Sequence, residues 1–155
     1  MRTGALTALL FGVGEQRYGL DVSQVVEVVP AVPLRKIPGV PEYVAGVFCY
    51  KGTIVPVLDL NQLLSGVPAL KRYSTRMVLV RYPGHSGTEH VLGLLVERAD
   101  QGLTEAFGDL LSSGIATPEA PYLGKLAMLG NETIQFVKIE QLIPDGLRER
   151  LFAED

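Results

Sequence analysis

Few side chains in this sequence are of the types that do chemistry, and their spacing limits what they can do. Two histidines, His85 and His90, flank a Ser-Gly-Thr turn. A metal centre needs three or four convergent His, Cys or carboxylate ligands, and no second cluster accompanies this pair. Gly84-His-Ser-Gly87 lacks the Gly-x-Ser-x-Gly spacing of a serine-hydrolase elbow. Cys49 stands between Phe48 and Tyr50 in an apolar run and reads as a buried structural thiol rather than a nucleophile. Gly12-Val-Gly14 has neither the third glycine nor the Lys-Ser/Thr of a phosphate-binding loop. With no catalytic constellation, metal set or cofactor motif left, the expectation is a binding module and not an enzyme.

Two features remain as candidate binding elements. Val22, Val25 and Val28 recur at a spacing of three after a strand-like run. They are either a core-facing turn or helical stretch, or the wall of a groove that takes an apolar helix. Glu27 and Lys51 are charges set in apolar surroundings, where an isolated charge is costly to bury. They read either as a pair or as two unrelated solvent-facing charges.

The elements that must position these residues come from an internal repeat. Gly46-Val-Phe-Cys-Tyr-Lys-Gly52 and the run Thr53–Leu64 correspond to Gly124-Lys-Leu-Ala-Met-Leu-Gly130 and Asn131–Ile143. Both glycine pairs match at an offset of 78, and one residue inserted in the second turn makes it 79, so that Val57 meets Phe136 and Leu60 meets Ile139. Each half reads as strand, glycine turn, strand and short helix. Upstream, Leu9–Val13 with Arg17–Val22 forms one predicted hairpin, and Arg76–Arg81 with Val91–Val96 forms another. Each carries a Gly-Leu in its second strand, Gly19-Leu20 and Gly93-Leu94. Asp59 and Gly66 bracket a predicted short helix. Gly102–Leu111 is expected to make a turn or two of helix, Ile139–Ile143 a short one, and Asp145 to cap a terminal helix reaching Phe152. Units of this size bury little surface alone, so the two copies are expected to share apolar surface.

Composition agrees with that picture. The 155 residues are 47% hydrophobic and 20% charged, which excludes an intrinsically disordered chain. The 17 Gly and 10 Pro show no tripeptide period and suit many short strands joined by tight turns. One cysteine excludes an intramolecular disulfide and favours a cytosolic home. The longest run without a charge or histidine, Thr3–Gly14, is 12 residues, too short to span a membrane, and is expected to be the first strand. Net charge is −3, with the acidic excess in residues 101–155. The alternative function, a small-barrel nucleic-acid binder, would use Lys71, Arg72, Arg76 and Arg81; the acidic last third and only 11 aromatic residues, 6 Tyr and 5 Phe, speak against it.

Taken together, these segments resemble the CheW family of chemotaxis coupling proteins. Phe11, Tyr18-Gly-Leu-Asp-Val22 and Val25-Val-Glu-Val-Val29 resemble the family's opening hairpin and its Val-x-Glu-Val segment. Ile37-Pro-Gly-Val-Pro41 resembles Leu-Pro-Gly-Ala-Pro, and Gly46-Val-Phe-Cys-Tyr-Lys-Gly52 resembles Gly-Val-Ile-Asn-Leu-Arg-Gly. Ile54-Val-Pro-Val-Leu-Asp-Leu60 and Leu92-Gly-Leu-Leu-Val-Glu97 resemble Ile-Val-Pro-Val-Val-Asp-Leu and Gly-Leu-Leu-Val-Asp, and the resemblance runs from about Leu9 to Ile143.

The resemblance implies a mainly β fold, two intertwined five-stranded SH3-like β-barrels sharing a core, with a few short helices. The whole of 1–155 would be one domain, with one subdomain at about 15–82 and the other from the remaining N-terminal strand plus 83–155. It implies a cytoplasmic, non-catalytic adaptor, recruited to membrane receptor arrays without membrane insertion. Its partners would be the cytoplasmic tip of a methyl-accepting chemoreceptor and the regulatory domain of a CheA-type histidine kinase, with self-association in rings as a further contact. Val22, Val25 and Val28 fall by alignment on the wall of the receptor groove, with Leu9 and Ala99 nearby. Glu27 aligns with the family's Glu, Lys51 with the Arg of Arg-Gly, and Gly46 and Gly52 with glycines at close backbone approaches. These four are the implied kinase or partner interface, or a pair joining the subdomains. The sequence departs from the pattern at Cys49-Tyr50-Lys51, where Lys51 loses a bidentate fork, and at Lys138-Ile139-Glu140. Such departures point to a divergent paralogue serving a chemosensory system other than flagellar chemotaxis.

Overall fold

Apolar, β-branched runs punctuated by Gly and Pro form ten strands among the described residues. The structure, a computed structural model, describes residues 6–83, 88–99, 104–108, 110–115 and 117–153. In chain order the strands are β1 (Leu6–Val13), β2 (Gln16–Asp21), β3 (Val25–Pro30), β4 (Val44–Tyr50), β5 (Thr53–Asp59), β6 (Arg76–Pro83), β7 (Glu89–Val96), β8 (Thr104–Phe107), β9 (Leu123–Leu129) and β10 (Glu132–Val137). The helices are α1 (Leu60–Ser65) and α2 (Asp145–Leu151), with 3-10 turns at Val22–Gln24 and Ile139–Gln141.

The strands make two five-stranded sheets in the orders β8-β1-β2-β10-β9 and β3-β6-β7-β5-β4. Hairpin β1–β2 stands where β6–β7 stands in the other sheet. The second strand of each pairs in parallel with the return strand of the other hairpin, Gly19 opposite Phe136 and Gly93 opposite Val57. The missing side chains matter there: a Cβ on Gly93 would lie 2.9 Å from Val57 Cγ2.

The repeat is therefore structural, but its register is 79 throughout. Val44 pairs with Leu58 as Leu123 does with Val137, and Tyr50 with Thr53 as Leu129 does with Glu132. The glycine matches at 78 are one residue out of step because the two turns differ. Lys51 and Gly52 have φ of 48° and 81°, whereas in Gly130-Asn131 only the first residue is left-handed, at 62°. The hairpin geometries that fit these twists place glycine differently.

The sheets also divide the chain elsewhere than the expected 15–82 boundary. Gln16–Asp21 lies in the first sheet and Glu89–Val96 in the second, because parallel pairing holds each hairpin whole.

Period-2 alternation splits each sheet between two cores, and this explains runs that are apolar at every position. On β1, Ala8 and Leu10 face a small core with Phe107, Ala127, Ile134 and Phe136. Leu9, Phe11 and Val13 face a large core shared with Leu58, Val78, Val80, Leu92 and Leu94 of the other sheet. On the second sheet Val57, Met77 and Leu95 face a private core that Val29, Ala45 and Phe48 complete. A sheet with a core inside its own curl and another on its outer face is a barrel, and two barrels sharing an outer face are what the resemblance implied.

Two helical expectations need correction. Residues 104–107 form strand β8, paired to β1 from Leu6↔Phe107 to Leu9↔Thr104. Phe107, edge-on to Phe136 with ring centroids 5.6 Å apart, fills the private core, so tertiary pairing overrides local tendency. Asp145 is the first helical residue, not the cap. Pro144 occupies the N-cap without a side-chain bond, and Asp145 pairs with Arg148 at 2.7 Å. The α1 expectation holds: Asp59 accepts the Gln62 N–H and Gly66 closes the helix at φ 81°.

Burial raises the pKa of Tyr18, Tyr43, Tyr82 and Tyr122 above the ordinary value of 10.0, with the Tyr122 hydroxyl adding to the effect on Tyr18 and Tyr43. At Tyr82 burial outweighs the opposing Arg148. The folded state thus holds these protons more tightly than the unfolded chain, so their contribution is intact below pH 10 and lost as pH rises past it. Melting temperature is expected to fall above pH 10 together with the appearance of tyrosinate absorbance; a melting temperature flat to pH 11.5 would contradict it.

Candidate functional site

Val22, Val25 and Val28 are core-facing, one of the two alternatives their spacing leaves open, and a strand bulge rather than a helix makes them so. Val22 sits in the 3-10 turn, capped by the Asp21 side chain, and Val25 and Val28 lie on β3. In a regular strand residues three apart face opposite sides. Here the register shifts between Val25, opposite Val80, and Glu27, opposite Leu79. This bulge reverses the alternation. Val22, Val25 and Val28 all pack, half-buried, on the shared core, while Val29 turns to the private core. The bulged Val26 is left 39% exposed. Arg81 holds the turn by donating from Nη1 to the Ser23 carbonyl at 2.8 Å.

Leu9 and Ala99 belong to the same shared core, at 6% and 2% exposure. They lie beneath the wall and not on its surface. Ala99 N–H bonds to the Ser74 carbonyl at 3.0 Å, fixing the chain where it leaves β7.

Glu27 and Lys51 do meet. Lys51 Nζ is 3.9 Å from Glu27 Oε1, with the side chains 77% and 45% exposed. A third residue joins them: the Tyr50 hydroxyl donates to Glu27 Oε1, and Lys51 Nζ lies 5.3 Å from the centre of the Tyr50 ring. Since β3 and β4 are the two outer strands of their sheet, these side chains clasp the seam where the barrel's edges come together. The hydrogen bond to the Glu27 carboxylate raises the Tyr50 pKa. The sequence reading did not single out Tyr50 as a partner; the available signal was its departure from the family's Leu.

Gly46 and Gly52 serve different needs. A Cβ on Gly46 would lie 2.5 Å from the Arg35 carbonyl oxygen, and its φ is 144°. Arg35 and Val47 exchange two backbone hydrogen bonds of 2.9 Å there, covering the outer edge of β4. No atom comes within 4 Å of a Cβ on Gly52, so the turn's left-handed φ, not close approach, requires that glycine.

The remaining candidates are dispersed. Cys49 is exposed, contrary to the buried thiol expected. Phe48 points to the private core, so the next residue on the strand faces out. His90 stacks on Phe152 at 4.3 Å between ring centroids, while His85 lies outside the described residues. Among the described residues no group of three His, Cys, Asp or Glu could hold a metal, and no helix is long and apolar enough to cross a membrane. Of the basic cluster, Arg76 binds the Tyr73 and Thr75 carbonyls and Arg81 binds that of Ser23. Half of the suggested nucleic-acid stripe is therefore committed to the backbone.

Two barrels with the same strand layout but circularly permuted chain order, on one core against which Val22, Val25 and Val28 pack half-buried, define a pseudo-symmetric double-barrel domain. Its sequence places it further: residues 7–146 match the CheW-like domain, and the chain belongs to that family. The chemotaxis protein CheW of Rhizobium meliloti is 24% identical over 151 residues, covering 96% of this chain and 94% of that one. CheW of Helicobacter pylori is 30% identical over 97 residues, 62% of this chain. The chain spans about half the length of the Helicobacter pylori and Treponema pallidum CheW proteins, with 53% and 56% of them matched. The crystal structure of the scaffolding protein TtCheW from Thermoanaerobacter tengcongensis superposes with a TM-score of 0.77 at 25% identity, covering 91% of this chain and 89% of that one.

Proposed function

We propose that this chain is a non-catalytic adaptor of the cytoplasm that couples chemoreceptor signalling tips to a CheA-type histidine kinase. The observation that carries the reading is the valine wall, which the β3 bulge turns to one side at the junction of a CheW-like double barrel. The wall takes the apolar face of the receptor's helical hairpin, with Val22, Val25 and Val28 in contact and Leu9 and Ala99 supporting them from below. An apolar wall already seated on a rigid core suits helix-in-groove recognition, because little ordering entropy is lost on binding. The seam around Glu27, Gly46, Lys51 and Gly52 is the kinase-facing surface. The departures at Cys49-Tyr50-Lys51 and Lys138-Ile139-Glu140 favour a chemosensory pathway other than flagellar swimming.

Calorimetric titration with a receptor signalling-tip hairpin and, separately, with a kinase regulatory domain from the same source tests this. Saturable binding of both is expected. Binding of neither would overturn the proposal.

A further inference from the structure

The surface around Glu27 carries one residue whose chemistry the adaptor reading does not use. A carboxylate has two oxygens and roughly four acceptor directions, and a guanidinium fills two of them with a planar fork. Lys51 cannot. Its ammonium is a single point charge, and at 3.9 Å from Glu27 Oε1 it makes a loose ion pair. The Tyr50 hydroxyl supplies the missing donor to the same carboxylate. Tyr50 can reach because it stands at the end of β4, on the side of the strand that also carries Phe48, with the two rings 6.3 Å apart. Phe48 is packed on the private core, so the phenol rises from a fixed base.

Among the described residues the other barrel shows no such arrangement at its matching strand end. By the register of 79, Leu129 stands at the position of Tyr50 and Gly130 at that of Lys51, and Leu129 packs on its own barrel's core. One seam is polar and exposed, and at the matching place the other strand end is apolar. Two otherwise matching barrel ends are thereby made distinguishable to a partner.

We propose that Tyr50 is a positioning and specificity-determining residue of this surface. Its hydroxyl holds Glu27 across the barrel seam, and with that carboxylate held, the exposed Lys51 turns its remaining N–H donors to a carboxylate of the partner. The partner surface that fits is acidic where it meets Lys51, and an apolar residue can lie beside it against Ile54, which is 63% exposed on the adjoining strand. The assignment of that partner as the kinase regulatory domain rests on the adaptor reading; the clasp does not.

The test uses the whole chain with Tyr50→Phe, Lys51→Arg and Glu27→Gln variants. Without any partner, a thermal double-mutant cycle of Tyr50→Phe with Glu27→Gln is expected to depart from additivity by about 1–2 °C. Strict additivity overturns the clasp. With the kinase regulatory domain, Tyr50→Phe is expected to weaken binding about fivefold. Adding Lys51→Arg to Tyr50→Phe restores binding to within about twofold of the wild type, because a guanidinium supplies both donors. A merely structural tyrosine would not be rescued by a change of cation. Wild-type binding that Tyr50→Phe leaves unchanged, or a loss that Lys51→Arg does not restore, overturns the specificity role alone. A wild-type chain that binds no kinase domain overturns that role together with the adaptor reading, while the thermal cycle still decides the clasp.

Discussion

Replacing Val25 by Asp is expected to weaken binding of a receptor signalling-tip hairpin by more than about 100-fold, or ~3 kcal/mol, while kinase binding is unchanged. Val25 stands in the middle of the wall, between Val22 in the 3-10 turn and Val28 beyond the bulge, with all three seated on the shared core. A docking helix would remove the new carboxylate from water without offering it a cation. The side chain is only half-buried in the free chain, so the fold tolerates the change better than the complex does. Circular dichroism establishes that the variant is folded, and Val25→Ala, which adds no charge, is expected to weaken the same titration by about tenfold. Equal loss of receptor and kinase binding in a folded Val25→Asp variant would show that this wall is not a receptor-only surface.

The largest effect on stability is expected at Gly46→Ala. The added methyl would lie 2.5 Å from the Arg35 carbonyl oxygen and 3.0 Å from Leu34 Cβ, at a φ of 144° that L-residues avoid. Backbone cannot swing aside as a long side chain can. Relief requires moving residues 34–35 off β4 and with them both hydrogen bonds between Arg35 and Val47. Strain of about 1–3 kcal/mol, with about 1 kcal/mol for each of the two weakened hydrogen bonds, gives about 3–5 kcal/mol in all. For a chain of this length that is a fall in melting temperature of about 6–20 °C. It would also uncover the outer edge of β4 beside the clasp, so any residual kinase binding should fall with it. A melting temperature within 2 °C of the wild type would mean that this backbone approach is slack.

What could be read from sequence was local chemistry and what could not was long-range pairing. The hairpins around Gly14 and before Val91, the Asp59–Gly66 helix brackets and the existence of a repeat all follow from turn residues and apolar runs a few positions apart. Strand β8 did not, because Thr104–Phe107 becomes a strand through β1, about a hundred residues earlier. The offset of 79 after the turn agrees with the strand pairing, whereas the glycine matches at 78 fall one residue out of step because glycines mark left-handed turn positions that differ between the two hairpins. Apolar neighbours suggest a buried Cys49, yet with Phe48 facing the private core the next residue on the strand faces out.

The candidate site shows the same division. Val22, Val25 and Val28 stood out by spacing, yet the sequence offered a turn, a helix or a groove wall. The register shift that makes them one surface is set by strand β6 opposite Val25 and Glu27. The meeting of Glu27 and Lys51 was open because it depends on curling the sheet until β3 and β4 approach, and Tyr50 became visible only then.

The most direct test of the adaptor account is co-sedimentation of the purified kinase with receptor-bearing membranes, with and without this chain. The account predicts that the chain raises the sedimented kinase about tenfold or more, and that Val25→Asp removes the increase by detaching the adaptor from the receptor. Kinase sedimenting equally with and without the chain would contradict it.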